Sequence, residues 1–98
     1  MKVFLDDLRE PPKGWEWSQS AHWCIKLLEN NDVDEISLDH DLGLDDQNGY
    51  DVLLWIEEQV VTKNYTSPKI HLHTSNPSAR HKMQLAVSRI KRWQKYGN

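Results

Sequence analysis

The feature that most constrains the fold is a pattern repeated three times, in which a short apolar strand ends in polar residues and a helix follows. The strands are predicted at residues 2–6, 35–39 and 69–74. The helices are predicted from a cap at Ser18 or Ser20 to about residue 30, from residue 49 to about 63, and from residue 76 onward. Strands that alternate with helices in the order β-α-β-α-β-α are parallel and joined by right-handed crossovers. The sequence therefore predicts an α/β fold around a short parallel sheet.

Layering and domain organisation follow from this order and from the length of the chain. The two crossover helices are expected on one face of the sheet and the last helix on the other, which makes three layers. With 98 residues, we predict one domain spanning residues 1–98. The lone Cys24 has no internal disulfide partner, and Met1-Lys2 leads directly into a strand with no run long enough to cross a bilayer. We therefore expect a cytoplasmic protein that is not embedded in a membrane.

Charge is distributed unevenly along the chain. Residues 78–98 carry six lysines and arginines and no acid, whereas the whole chain has a net charge of −3. The first 77 residues therefore have a net charge of −9. The basic last helix indicates an anionic partner, although a solvated basic face with an apolar inner stripe is the simpler interpretation.

Acidic residues lie where the first two strands end. Asp6 and Asp7 follow the first strand, and Asp39 ends the second, before a loop rich in turn residues that includes Gly43 and Gly49. The carboxyl ends of parallel strands meet at one edge of the sheet, where ligands bind in folds of this class. Because ligation by carboxylate oxygens favours Mg²⁺ or Mn²⁺, we predict a metal site at Asp6, Asp7 and Asp39. A solvated acidic loop is the alternative.

Histidines supply candidate proton-transfer groups at the same edge. His40 follows Asp39 directly, and His71 and His73 alternate on one face of the third strand. We predict that His40 or His73 exchanges a proton with substrate, and that Asp41 is a further ligand or a general base. A structural role is the alternative, and we favour it for His71, which lies further from the end of the strand.

Candidate phosphate-binding residues complete the predicted site. Arg9 follows the acidic pair, and Thr74 and Asn76 lie between the third strand and the last helix. Arginine and the amides at a helix N-terminus both favour phosphate oxygens. Asn76 as a cap of the last helix, with Pro77 in its first turn, is equally compatible. Trp15 and Trp17 are expected to pack over the sheet edge or to stack on a base. For Trp23 and Trp55 we expect positions in the core.

These motifs resemble a known family. An acidic pair after the first strand, Asp39 at the end of a later one and Thr74 at the end of the third are similar to the response-regulator receiver domain. A closer resemblance is to the compact branch called the cyclic-phosphate processing receiver-like domain. The residues that carry it lie in four blocks in the correct order: 4–12, 36–43, 49–53 and 73–77.

The resemblance implies a receiver-like (flavodoxin-like) fold and phosphate chemistry. It implies a Mg²⁺- or Mn²⁺-dependent phosphoesterase that acts on a cyclic phosphate of a nucleotide or of an RNA end, with Asp39 or a bound water as nucleophile. A non-catalytic module that binds a nucleotide or a protein partner is the alternative, and a phosphoacceptor switch is another. The residues count against the switch, because no strand after Thr74 supplies the phosphate-binding lysine of receivers.

Overall fold

The computed structural model describes residues 1–43 and 47–97. The elements in chain order are β1 (Lys2–Leu5), β2 (Glu16–Ser18), α1 (Ala21–Asn30), β3 (Glu35–Leu38), α2 (Gly49–Lys63), β4 (Lys69–Leu72) and α3 (Pro77–Gly97). The four strands are parallel and lie in the order β2-β1-β3-β4. The predicted α/β, receiver-like fold class is confirmed. The loop predicted before α2 includes residues 44–46, which lie outside the described residues.

Strand β2 is an addition to the predicted order. It pairs in parallel with β1, with Phe4 opposite Trp17 and Leu5 opposite Ser18. Three residues are too few to show a periodic pattern, and only the pairing with β1 makes them a strand. The Trp17 indole donates to the Asp6 carbonyl (2.8 Å), and the Asp6 amide donates to the Ser18 carbonyl (3.0 Å). Strand β1 therefore lies between β2 and β3, so Asp6 at its end has a neighbouring strand on each side.

The apolar core lies on one face of the sheet. Val3, Leu5, Ile36 and Leu38 project to this face and are buried in one cluster with residues of all three helices. Alternation places the neighbouring side chains of the same strands on the opposite face, where Phe4 is covered by aromatic rings rather than by a helix.

The last helix was expected on the second face of the sheet, where it would make a third layer, and this expectation is wrong because the three described helices share one face. Helix α3 packs beside α2, and its Met83, Ala86 and Ile90 join the same core cluster. The physical reason is that the second face of the sheet offers polar side chains, among them Ser37 and His71, which give an apolar helix stripe little to bury. The site at the end of the sheet consequently has an uncovered flank.

One tryptophan differs from expectation, and the helix ends agree with it. Trp23 is 53% exposed on the outer side of α1, so its predicted place in the core is wrong, whereas Trp55 is half-buried against Tyr65. Ser20 caps α1 by accepting from the Trp23 amide, and Asn48 forms a capping box at the start of α2.

Among the described helices, none combines the length and the apolar character that crossing a bilayer requires.

Candidate functional site

Three predicted site residues converge at the carboxyl end of the sheet. One ligand atom from each of Asp6, Asp39 and His73 lies within 4.8 Å of the others, the one such group among the described residues. They follow β1, β3 and β4, which are adjacent and in register, so their ends coincide. A cavity of about 300 Å³ opens beside them, and its lining residues are Asp6, Asp7, Leu8, Arg9, Asp39, Asp41, Gly43 and Ser75.

Asp6 is buried and held by the turn that follows it. Its Oδ1 accepts from the amides of Leu8 (2.9 Å) and Arg9 (2.7 Å), and its Oδ2 lies 3.1 Å from His73 Nε2. Burial acts to raise the pKa of Asp6, but the hydrogen bonds from Arg9, Leu8 and His73 outweigh it and lower the pKa below its usual value. Asp6 is therefore an ionised carboxylate held in one orientation.

His73 connects Asp6 to the uncovered face of the sheet. Its ring stacks on Phe4 with a centroid separation of 4.4 Å and an interplanar angle of 5°. Since ionised Asp6 only accepts, His73 Nε2 carries the proton and donates to it; Nδ1 of the neutral ring then accepts from the Ser37 hydroxyl at 2.7 Å. Burial lowers the pKa of His73 despite the opposing hydrogen bond to Asp6. In this arrangement His73 orients Asp6.

Asp39 has a different electrostatic environment. Its Oδ1 accepts from the His40 amide (2.8 Å). Burial raises the pKa of Asp39, the His40 amide opposes this rise, and the negative charge of Asp6 adds to it. Two carboxylates held this close repel each other, and a cation between them would relieve the repulsion.

Replacing Asp39 with Asn is expected to stabilise the fold at neutral pH in the presence of a chelator. A raised folded-state pKa means that ionised Asp39 costs stability above that pKa, and that this cost disappears as the pH falls through it towards the unfolded-state value. The advantage of Asp39→Asn in urea unfolding should therefore shrink between about pH 7 and about pH 4.

Asp6→Asn is the opposite control for this prediction. The lowered pKa of Asp6 contributes stability above its unfolded-state pKa, and that contribution is lost as the pH falls through the folded-state pKa. This variant should be less stable than wild type at neutral pH. An Asp39→Asn protein that is also less stable there would contradict the electrostatic description of the pair.

Asp7 and Arg9 lie on the wall of the cavity. Asp7 is outside the close group of ligand atoms, and its carboxylate lies against Gly43, where a Cβ added to the glycine would be 2.8 Å from Oδ2. Arg9 Nη1 donates to the His73 carbonyl (3.5 Å), and Nε lies 4.0 Å from Asp6 Oδ2. Arg9 is largely exposed at the rim, where its guanidinium is accessible to an anion.

A second cavity adjoins the site on the side of α3. It measures about 240 Å³ and is lined by His40, Asn76, Ser78, Ala79 and Lys82. His40 Nδ1 lies 2.9 Å from Asp41 Oδ1, so an exposed carboxylate orients this imidazole. Asp41 itself lines the first cavity.

Thr74 and Asn76 organise the turn into α3. Thr74 is buried, and its hydroxyl accepts from the Asn76 amide (3.2 Å). Asn76 Oδ1 accepts from the Ala79 amide (3.1 Å), as expected of a helix cap. The capping alternative is therefore present in the structure, while the side chain of Asn76 also lines the second cavity.

Sequence reasoning missed two residues that hold the site. Ser37 lies on the same face of the sheet as His71 and His73, and period-two alternation along β3 and β4 was the signal that could have found it. For Phe4 the sequence indicates only a place in a strand, although its ring supports His73. His71 instead pairs with Glu35 (2.9 Å) and is more exposed than His73, which agrees with a structural role.

The donor set fits a divalent cation that prefers oxygen ligands. Asp6 and Asp39 present carboxylates to one point, with Asp7 and Asp41 on the walls of the same cavity. His73 Nε2 is engaged with Asp6, so the carboxylates are the candidate ligands and the imidazole would support them.

Comparison with known protein families identifies a match over most of the chain. The family model described as the Cyclic-phosphate processing Receiver domain matches residues 1–89. No curated protein matches the chain.

Proposed function

This chain belongs to the family of cyclic-phosphate processing receiver domains, and we propose that it is a divalent-metal-dependent phosphoesterase that acts on a cyclic phosphate of a nucleotide or of an RNA end. The observation that carries the proposal is the convergence of Asp6 and Asp39 beside an open cavity with Arg9 at its rim. Such a site joins a cation position to an anion position, which is what a metal-assisted phosphate reaction requires.

Mg²⁺ or Mn²⁺ would be held by Asp6 and Asp39, with Asp7 across the cavity as a further oxygen donor. When bound, the ion supplies Lewis-acid stabilisation of negative charge on phosphate oxygens. The hydrogen bonds to Asp6 keep its carboxylate ionised and oriented before any ligand arrives. A preorganised carboxylate loses little entropy on binding, which favours tight coordination.

The remaining residues have roles in substrate binding and proton transfer. Arg9 would bind a non-bridging phosphate oxygen, and the turn held by Thr74 and Asn76 would present backbone amides to another. Hydrolysis adds water to phosphorus and breaks one P–O bond of the ring, so the attacking water releases one proton to solvent and the departing ribose oxygen takes up another. His40, oriented by Asp41, is the group we assign to supply it.

A non-catalytic binding module is the second candidate. The observation in its favour is that both oxygens of Asp6 are already engaged by protein groups, as in a structural carboxylate. A module of this kind would bind a cyclic nucleotide without converting it and would tolerate the loss of His40.

The test is ³¹P NMR of the protein with Mg²⁺ and a panel of 2′,3′- and 3′,5′-cyclic nucleotides. We expect one class of cyclic phosphate to be converted to a monoester, and chelation of the metal to stop the conversion. His40→Gln should slow turnover more than it weakens binding, while His22→Gln, on the exposed face of α1, should have no effect. Metal-dependent broadening of a ligand resonance without conversion would establish the binding module instead.

A further inference from the structure

Helices α2 and α3 carry an exposed apolar surface that the proposed function does not use. The two helices run side by side with a constant offset of 32 residues: Lys82 lies over the Tyr50 ring (4.0 Å), and Arg89 binds Glu57 through both oxygens. These two pairs are rungs of a ladder between parallel helices. The apolar residues exposed along it are Leu54 (40%), Val61 (48%), Leu85 (51%) and Trp93 (46%).

Helical spacing places these four side chains together. Val61 is one turn beyond Glu57, and Trp93 is one turn beyond Arg89, so they form the next rung. Leu54 and Leu85 fall between the first two rungs by the same spacing. The result is two apolar pairs, one on each side of the Glu57–Arg89 ion pair, which we together call the α2–α3 strip. Exposed apolar side chains grouped in this way are typical of an interaction site in soluble proteins.

Charges on the two helices differ in sign. Helix α2 carries Asp51, Glu57 and Glu58 along its length, with Lys63 at its end, whereas α3 carries cations and no acid. Glu58 and Arg92 are both exposed, and the offset of 32 places them less than one turn apart in height. A surface with an acidic half and a basic half is complementary to itself after a rotation that exchanges the halves.

We propose that the α2–α3 strip is the interface of a symmetric homodimer whose two-fold axis runs parallel to the helices. This axis places α2 of one copy against α3 of the other at equal height. Val61 then faces Trp93 of the second copy, and Leu54 faces its Leu85. At the rim, Glu58 pairs with Arg92 of the second copy. An axis across the helices would instead bring like helices together, and the two basic α3 helices would repel.

The size of the surface agrees with a small specific interface. At about 1.5 Å per residue, α2 and α3 are roughly 22 Å and 31 Å long. Two helices about 10 Å apart, each about 10 Å across, provide a face on the order of 500 Å² in projection, which is at the low end for specific complexes. None of the residues that line the metal-site cavity belongs to the strip, so the dimer leaves that cavity open.

Sedimentation equilibrium of the full chain tests the proposal through a charge reversal. We expect a dimer for wild type and a monomer for Val61→Glu. Glu58→Arg and Arg92→Glu should each raise the dissociation constant at least tenfold, and the double variant should restore it, because the pair is re-formed with its signs exchanged. Trp23→Ala, at an equally exposed tryptophan on α1, is the matched control and should remain dimeric.

Circular dichroism of each variant verifies that the fold is retained. A monomeric wild type at every loading concentration would overturn the proposal, as would a Val61→Glu protein that still dimerises. Failure of the double reversal to restore association would overturn the assigned axis. None of these results depends on whether the cavity hydrolyses a phosphate ester, because the test measures mass and not turnover.

Discussion

Alanine at Gly49 is expected to lower the free energy of unfolding by about 3 kcal/mol or more. A Cβ at this position would overlap the Asp39 carbonyl oxygen and lie 3.0 Å from Met83 Cε. The close neighbour is backbone, which no change of side-chain rotamer can move. The start of α2 must therefore separate from the end of β3, and Asp39 moves with that end.

Urea unfolding measures this effect, and Gly14→Ala is the matched control. Gly14 has a φ of 90° but open space where a Cβ would be placed, so alanine there costs only the backbone strain, about 1 kcal/mol. A Gly49→Ala protein with wild-type stability would show that β3 and α2 do not meet as closely as the structure has them.

Asn at position 39 is expected to reduce turnover of the cyclic phosphate by about 10²–10³-fold or more. The amide keeps the hydrogen bond from the His40 backbone, because its Oδ1 still accepts. It removes a negative charge that would help to hold a divalent cation, and without the cation its Lewis-acid stabilisation of the phosphate is lost. The same variant should be more stable at neutral pH in the presence of a chelator, so that loss of activity cannot be attributed to unfolding.

The matched control for this experiment is Glu29→Gln, which neutralises an exposed carboxylate on α1 outside the described cavity. It should retain wild-type turnover in the ³¹P assay. Full activity of Asp39→Asn would show that Asp39 is not a catalytic residue, whether or not the variant still binds the metal. Loss of activity accompanied by loss of stability would instead indicate that ionised Asp39 is needed for folding.

The elements that sequence predicts best are those with local signals at both ends. Helix α2 begins at Gly49 and ends at Lys63 as predicted, because Asn48 supplies a capping box and Asn64 a left-handed C-cap with φ of 56°. Strand β2 has no comparable signal, since its three residues become a strand only by pairing with β1. The position of α3 could not be predicted from local sequence either. An apolar stripe indicates which residues are buried but not which face of the sheet they pack against.

The site shows the same division between local and tertiary information. The meeting of Asp6 and Asp39 follows from parallel strand order, which the sequence indicates well. Asp7 illustrates the limit: Asp6 continues the strand by pairing with Ser18, so the next side chain points another way and lies against Gly43. The hydrogen bonds that join Ser37 to His73 and His73 to Asp6 could not be predicted. They depend on the register of β3 and β4, which only the structure provides.

The most direct test of the central claim is a titration of the protein with Mn²⁺ followed by electron paramagnetic resonance. We expect a single bound Mn²⁺ per chain in wild type and in Glu29→Gln, displaced by Mg²⁺, and no bound ion in Asp39→Asn. Absence of Mn²⁺ binding in the folded wild-type protein would contradict the claim that Asp6 and Asp39 form a cation site. Equal binding in Asp39→Asn would contradict it as well.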